Sequence, residues 1–319
     1  MKKIKAFLRR KDIIFSAKRY FIDAMGAMAQ GLFCTLLVGT ILNTIGQQFH
    51  IGFLNAVIVT LGKGDGAVSY TIGGLCSAMV GPGMAVAIAG ALKAPPLVLF
   101  SLIPVGFAAN YMGGAGGPLA VLFVALFAAE VGKAVSKETK IDILVTPIVT
   151  VLAGIGLAAL IAAPVGTAAS AVGQAIMWAT ELQPFFMGII VSVVIGVALT
   201  LPISSAAICA ALGLTGLAGG AAVAGCCAQM VGFAVMSFRE NRWGGLAAQG
   251  IGTSMLQMGN IVRNPRIWIP PTLASAITGT DWLGLVLISF VLPAVLTWLI
   301  AIPLRKWGWI KDGDLKLDL

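Results

Sequence analysis

Three long runs of this sequence contain no Asp, Glu, Lys or Arg: Ala24 to Gly62, Ile143 to Thr180 and Leu182 to Phe238. A helix that crosses a bilayer needs about 20 consecutive apolar residues, so each run is long enough for at least one crossing. Drawn out as a single helix, the last run would reach roughly 85 Å at about 1.5 Å per residue, and it must fold back. The apolar pattern predicts spans near residues 20–46, 67–92, 118–133, 143–163, 185–202, 207–237 and 282–303. Shorter or broken pieces are expected at 51–62, 94–110, 243–262 and 267–279, and an amphipathic helix near the outer surface at 166–183. The fold class is therefore all-α, a polytopic membrane protein with about 8–10 membrane elements.

Composition agrees. Only 10% of the 319 residues are charged, against roughly 25% in soluble domains. Of the 21 Lys and Arg residues, eight lie in the opening MKKIKAFLRRKDIIFSAKRY, which reads as a basic interfacial helix over residues 1–19. Further basic clusters, at Lys133 to Lys140, Arg239 with Arg242, and Arg305 to Lys316, mark the cytoplasmic side and place both termini there. The net charge of +9 is thus topology information and not the footprint of nucleic acid. The loop 133–142 divides a first membrane half, 20–140, from a second, 141–304, with a cytoplasmic tail at 305–319. Five cysteines without a CxxC, and the single His50, assemble no metal-ligand set. No catalytic centre and no cofactor are expected.

Several polar stretches interrupt this pattern. NYMGGAGGPLA (110–120) ends with Pro118 at a helix start. There Asn110 and exposed backbone N–H groups suit a solute or anion, while the glycines equally suit close helix packing. LPISSAA (201–207) offers Ser204 and Ser205, either to satisfy backbone freed by Pro202 or to line a path. Gln229, deep in an apolar run, serves either as glue between helices or as a ligand contact. Glu130 and Lys133, three apart, suit an interfacial ion pair better than a proton relay.

The most informative stretch is WGGLAAQGIGTSMLQMGNIV, residues 243–262. Arg239 and Arg242 precede it, and Arg263 and Arg266 follow. If both flanks are cytoplasmic, two crossings would need about 40 residues. A segment this short forms a re-entrant hairpin, or the arginines lie inside the membrane. Gln249, Thr253, Ser254, Gln257 and Asn260 line it, and Arg263 and Asn264 stand at its exit in GNIVRNPRIWIPP. Broken elements of this kind point to transporter binding sites.

The string GCCAQMVGFAVMSFRENRWGGLAAQGIGTSMLQMGNIVRNPRIWIPPTLASAITG, with TKIDILVTPIVTVLAGI and ATELQPFFMGIIVSVVIGVALTLPISSAAI ahead of it, resembles the enzyme IIC-like membrane proteins of the bacterial phosphotransferase system (PTS). The branch most resembled includes the perfringolysin O regulator PfoR, and the likeness covers most of residues 113–279. It implies a homodimer in the bacterial inner membrane, a C-terminal half carrying a sugar site, elevator-type movement of that half, and separate enzyme IIA and IIB subunits. Two departures are visible. Thr253 to Asn260 contains no carboxylate where phosphorylating relatives have a glutamate, and Gly279 runs into the last span within a few residues. The expected function is a permease for a small polar solute, a sugar or sugar derivative. A membrane sensor without transport and an ion-coupled secondary transporter stand as alternatives.

Overall fold

The computed structural model describes residues 2–63, 66–205, 208–209, 214, 216–279 and 290–317. In chain order its elements are α1 (Lys2–Arg10), α2 (Arg19–Gln48), α3 (Gly52–Asn55), β1 (Val59–Leu61), β2 (Val68–Tyr70), α4 (Ile72–Ala78), α5 (Val80–Ala91), α6 (Pro96–Gly113), α7 (Gly117–Val135), α8 (Asp142–Thr180), α9 (Pro184–Thr200), α10 (Gly216–Met236), α11 (Phe238–Ala247), α12 (Met258–Arg263), α13 (Ile269–Thr278) and α14 (Leu292–Lys306). By length and composition four stretches among the described residues are fit to cross a membrane: α2, α6 with α7, α8 and α10. The pair α4 and α5, bent by 54°, makes a fifth. The protein is all-α and multi-pass. The start of the span expected at 282–303, and the stretch after Gly279, lie outside the described residues.

Two expectations need correction. Residues 59–61 and 68–70 are not membrane helix but an antiparallel strand pair, with Thr60 opposite Ser69 and their hydroxyls 3.1 Å apart. The β-branched residues of VIVTL favour extended backbone when a Gly-rich turn follows. The second concerns 143–163 and 166–183, which form one helix of 39 residues, α8. The polar residues that suggested a separate surface helix bond back into α8 itself. Thr167, Ser170 and Thr180 donate to the carbonyls of Pro164, Gly166 and Met177 at 2.8, 3.0 and 2.7 Å.

The chain packs as two units, Met1–Arg19 with Ala27–Met112 and Val121–Leu160, and Tyr20–Gly26 with Gly113–Ala120 and Ile161–Leu319. Helices in lipid gain nothing from hiding apolar surface, so small residues that let backbones approach decide their packing. In the first unit a Cβ on Gly106 would lie 2.5 Å from the Gly81 carbonyl oxygen, and one on Gly39 would lie 2.5 Å from that of Gly73. In the second unit α10 is the central helix, packed on α9, α13 and α14. A Cβ on Gly196 of α9 would meet the Gly225 carbonyl oxygen of α10 at 2.7 Å. NYMGGAGGPLA resolves in the same way: a Cβ on Gly116 would stand 2.6 Å from the Val165 carbonyl oxygen.

Outside the spans, the N-terminal segment of the first unit is held by ion pairs. Arg10 reaches Glu138 at 2.6 Å, Lys11 also pairs with Glu138, and Arg19 reaches Asp12 at 2.5 Å. The Arg19 hydrogen bond holds the Asp12 carboxyl below its ordinary range, and the Lys11 hydrogen bond does the same for Glu138. Such groups add stability that is complete above the unfolded carboxylate values near about 4. It is lost as pH falls through the lower folded values. Helix α1 should therefore detach in acid, below about pH 4, and stay docked in mild alkali. Hydrogen exchange of residues 2–19 across that range checks it; release on raising the pH would contradict the assignment.

Candidate functional site

The second unit contains the stretch expected to turn back. Past α11 the helix loosens into a π-turn over Ala248–Gly252, and Thr253 is fully extended (φ −156°, ψ 143°). A 3-10 turn over Ser254–Gln257 then leads into α12. Gly250 and Gly252 keep the regular helix from being favoured across the turn. The Thr253 hydroxyl caps the new turn by accepting from the Met255 N–H at 3.2 Å. The reversal brings Gln257 against Gln249, whose Oε1 accepts from Gln257 Nε2 at 3.0 Å.

A continuous string of buried side-chain amides results. Gln249 Nε2 donates to Ser237 Oγ at 2.9 Å and to the Gly245 carbonyl at 3.1 Å. Asn260 Nδ2 donates to Gln257 Oε1 at 2.8 Å. Ser237, Gln249 and Gln257 are fully buried and Asn260 nearly so. Buried polar groups are tolerated only when paired, and a fully paired chain of amides polarises itself and stiffens the turn.

A second network holds the same turn to the helices. Thr200, at the end of α9, has its hydroxyl 2.7 Å from that of Ser254 and donates to Gln229 Oε1 at 3.3 Å. Trp268 Nε1 donates to the same Oε1 at 3.1 Å, while Gln229 Nε2 reaches Thr272 at 3.3 Å and Ser275 at 3.5 Å. Every polar position of Gln229 is engaged, so it acts as glue between α9, α10 and α13.

The C-terminal tail lies over the open side of the hairpin. Gln257 Nε2 and Asn241 Nδ2 both donate to the Leu315 carbonyl, at 3.0 and 2.7 Å. Asn260 Nδ2 donates to the Lys316 carbonyl at 2.8 Å. Asn264 Nδ2 donates to the Trp309 carbonyl at 2.8 Å and to the Asp314 carboxylate at 2.7 Å. Gly308 and Gly313, at φ +72° and +93°, supply the left-handed turns that fold the tail back. Leu315 and Ile310 are buried beneath it.

Of the residues expected at the site, Gln249, Thr253, Ser254, Gln257, Asn260 and Asn264 are brought together on this turn. Gln229 joins through Thr200. Ser204 packs on the glycine turn, its N–H donating to the Ala115 carbonyl at 3.0 Å, and Ser205 is buried beside Cys226. Asn110 belongs to the first unit, where it is half-buried against Gly81. Arg263 and Arg266 are exposed, and Arg266 lies over the Trp309 ring at 5.1 Å. Sequence reasoning overlooked Thr200, Asn241, Trp268, Thr272 and Ser275. The one available signal was Trp268 itself, an indole donor between prolines that needs an acceptor once covered.

The buried string offers amides and hydroxyls, and the nearest carboxylate, Asp314, lies on the tail bonded to Asn264. A family model described as phosphotransferase system, EIIC, matches residues 22–281. The chain belongs to the PTS EIIC family. No curated protein and no solved structure matches it. The EIIC match takes in most of both units, well beyond the stretch 113–279 on which the resemblance was read. As an EIIC protein the chain is a membrane permease component for sugar-type substrates, of a kind that usually works with separate IIA and IIB components.

Proposed function

We propose that this EIIC chain binds a small uncharged polar solute, a sugar or sugar derivative, on the 248–264 hairpin and carries it across the bacterial inner membrane. The observation that supports this most is the string Gln249–Gln257–Asn260 on non-helical backbone. Each amide offers a donor and an acceptor side by side, the pairing a polyol presents in return. Backbone of this kind inside a membrane protein is tolerated where it lines a polar cavity. Carbonyls of the tail now accept from Gln257, Asn260 and Asn264, and solute hydroxyls would accept in their place.

On this reading residues 141–304 form the transport half and 20–140 the scaffold of a homodimer with both termini cytoplasmic. The transport half moves as an elevator, and IIA and IIB subunits act from the cytoplasm. On the same reading the chain falls in a PfoR-like branch of the family. A second reading, a sensor that binds without transport, draws support from the tail, because ligand entry would have to displace it.

A thermal-shift screen of the purified protein against sugars, polyols, sugar acids and their phosphates tests the binding claim. A stabilising neutral sugar is the expected hit. Vesicle uptake of that hit, with and without a phosphorylated partner, then separates the readings. Binding without counterflow establishes the sensor, and a screen with neither shift nor uptake removes both.

A further inference from the structure

A second opening in the same unit is unrelated to the amide string. Between α10, α11 and α14 lies a cavity of about 460 Å³. Its walls include Val235, Leu246, Trp298 and Ile302, and Arg239, Arg242 and Arg305 also line it. Arg239 stands at the start of α11, Arg242 at a kink within it, and Arg305 in the last turn of α14.

Two observations point to an anion there. A carboxylate already occupies two of the guanidinium groups: Asp312 Oδ1, on the tail, lies 3.3 Å from Arg239 Nη1 and 3.2 Å from Arg305 Nη1. The Asp312 side chain is 74% exposed, so water competes for it and the pairing is weak. Glu240, by contrast, is almost buried and fixes Arg305 at 2.7 Å. The Glu240 contact positions Arg305, and the Asp312 contact is the exchangeable one. Second, Arg242 adopts φ 51°, ψ −147° at the kink that divides α11 into two helical pieces. A side-chain-bearing residue there is strained, and such strain clusters at ligand-holding sites. Arg242 is exposed and has no carboxylate partner among the described residues.

The walls decide what kind of anion. Without Asp312, three arginines face one carboxylate, so the site favours a negative group of phosphate type, for which guanidinium geometry is well matched. A sugar phosphate would find only the Trp298 indole N–H for its several hydroxyls, since Val235, Leu246 and Ile302 offer none. An acyl chain would pack on all four. We propose that this cavity holds an anionic phospholipid, with its phosphodiester on Arg239, Arg242 and Arg305 in place of the Asp312 carboxylate. Basic pockets between membrane helices recognise anionic headgroups in this way. Occupancy releases Asp312 and with it one anchor of the tail.

Native mass spectrometry of the detergent-purified protein, with phosphatidylglycerol and phosphatidylcholine of matched chains, tests this. Phosphatidylglycerol should be retained at least tenfold better. Arg242→Gly relieves the backbone strain, so it should keep or raise the melting temperature while removing most of that preference. Asp312→Asn removes the competitor and should strengthen phosphatidylglycerol binding severalfold. Equal retention of the two lipids, or an Arg242→Gly protein with its preference intact, overturns the proposal. So does protection by inorganic phosphate or glycerol phosphate matching that by the lipid, which would assign the arginines to a soluble phosphate.

Discussion

Replacing Lys133 by Met should cost about 3–5 kcal/mol, the usual penalty for removing one partner of a buried ion pair. The side chain is only 1% exposed, and its ammonium lies 3.1 Å from Glu130. It also donates to the Asp12 carbonyl at 2.7 Å and the Leu92 carbonyl at 3.1 Å. Arg19 donates to the same two carbonyls, at 3.0 and 2.6 Å. Two cations therefore share the free carbonyl at the end of α5, where the helix dipole favours positive charge, and tie the N-terminal segment to it. Lys133→Met leaves the Glu130 carboxylate buried beside an apolar chain. The double variant with Glu130→Gln should recover about half of the loss, because the carbonyl contacts stay broken. Denaturation in detergent measures both; a single variant as stable as the parent would mean that the pair is solvated.

Gln257→Leu should have the largest functional effect. It leaves Gln249 Oε1 buried without its partner, and it takes one of two bonds each from the Asn260 amide and the Leu315 carbonyl, which keep Lys316 and Asn241. At roughly 1–3 kcal/mol for an unsatisfied buried group, the hairpin loses about that much through Gln249 alone. Sugar binding should vanish, and the tail should become open to protease. Asn241→Ala serves as the control. It weakens the tail through Leu315 and Leu317 but leaves the Gln249–Gln257–Asn260 string in place, so sugar binding should survive. If Gln257→Leu still binds and transports, the solute site lies elsewhere.

Much of this hairpin was legible in the sequence because membrane insertion is so intolerant of charge. Four arginines bracketing a segment too short to cross twice left a reversal as the simplest solution, and its amides had to find partners once buried. Other features left no local trace. Thr200 lies inside a charge-free run and looks like an ordinary helix end; its value comes from Ser254, far along the chain and 2.7 Å away in space. The tail reads as solvated because Lys and Asp dominate it. Its contribution is made by backbone carbonyls, which every residue has and no pattern reveals. The strand pair was overlooked because β1 continues a charge-free run, although Lys63 and Asp65 interrupt the chain before β2. The long α8 escaped because hydroxyls bonded to their own helix read like those of a wet surface.

That helix sets a further condition on the protein's surroundings. At about 1.5 Å per residue, the 39 residues of α8 measure roughly 58 Å. The hydrocarbon core is about 30 Å thick, and about 40–45 Å with headgroups. Upright, such a rod would project well into water; leaning by about 40°, the limit seen for membrane helices, it rises about 45 Å and just fits. That excess length has to be taken up by tilt, by a bend or by ends outside the hydrocarbon core, and Trp178 lies two residues from one of those ends.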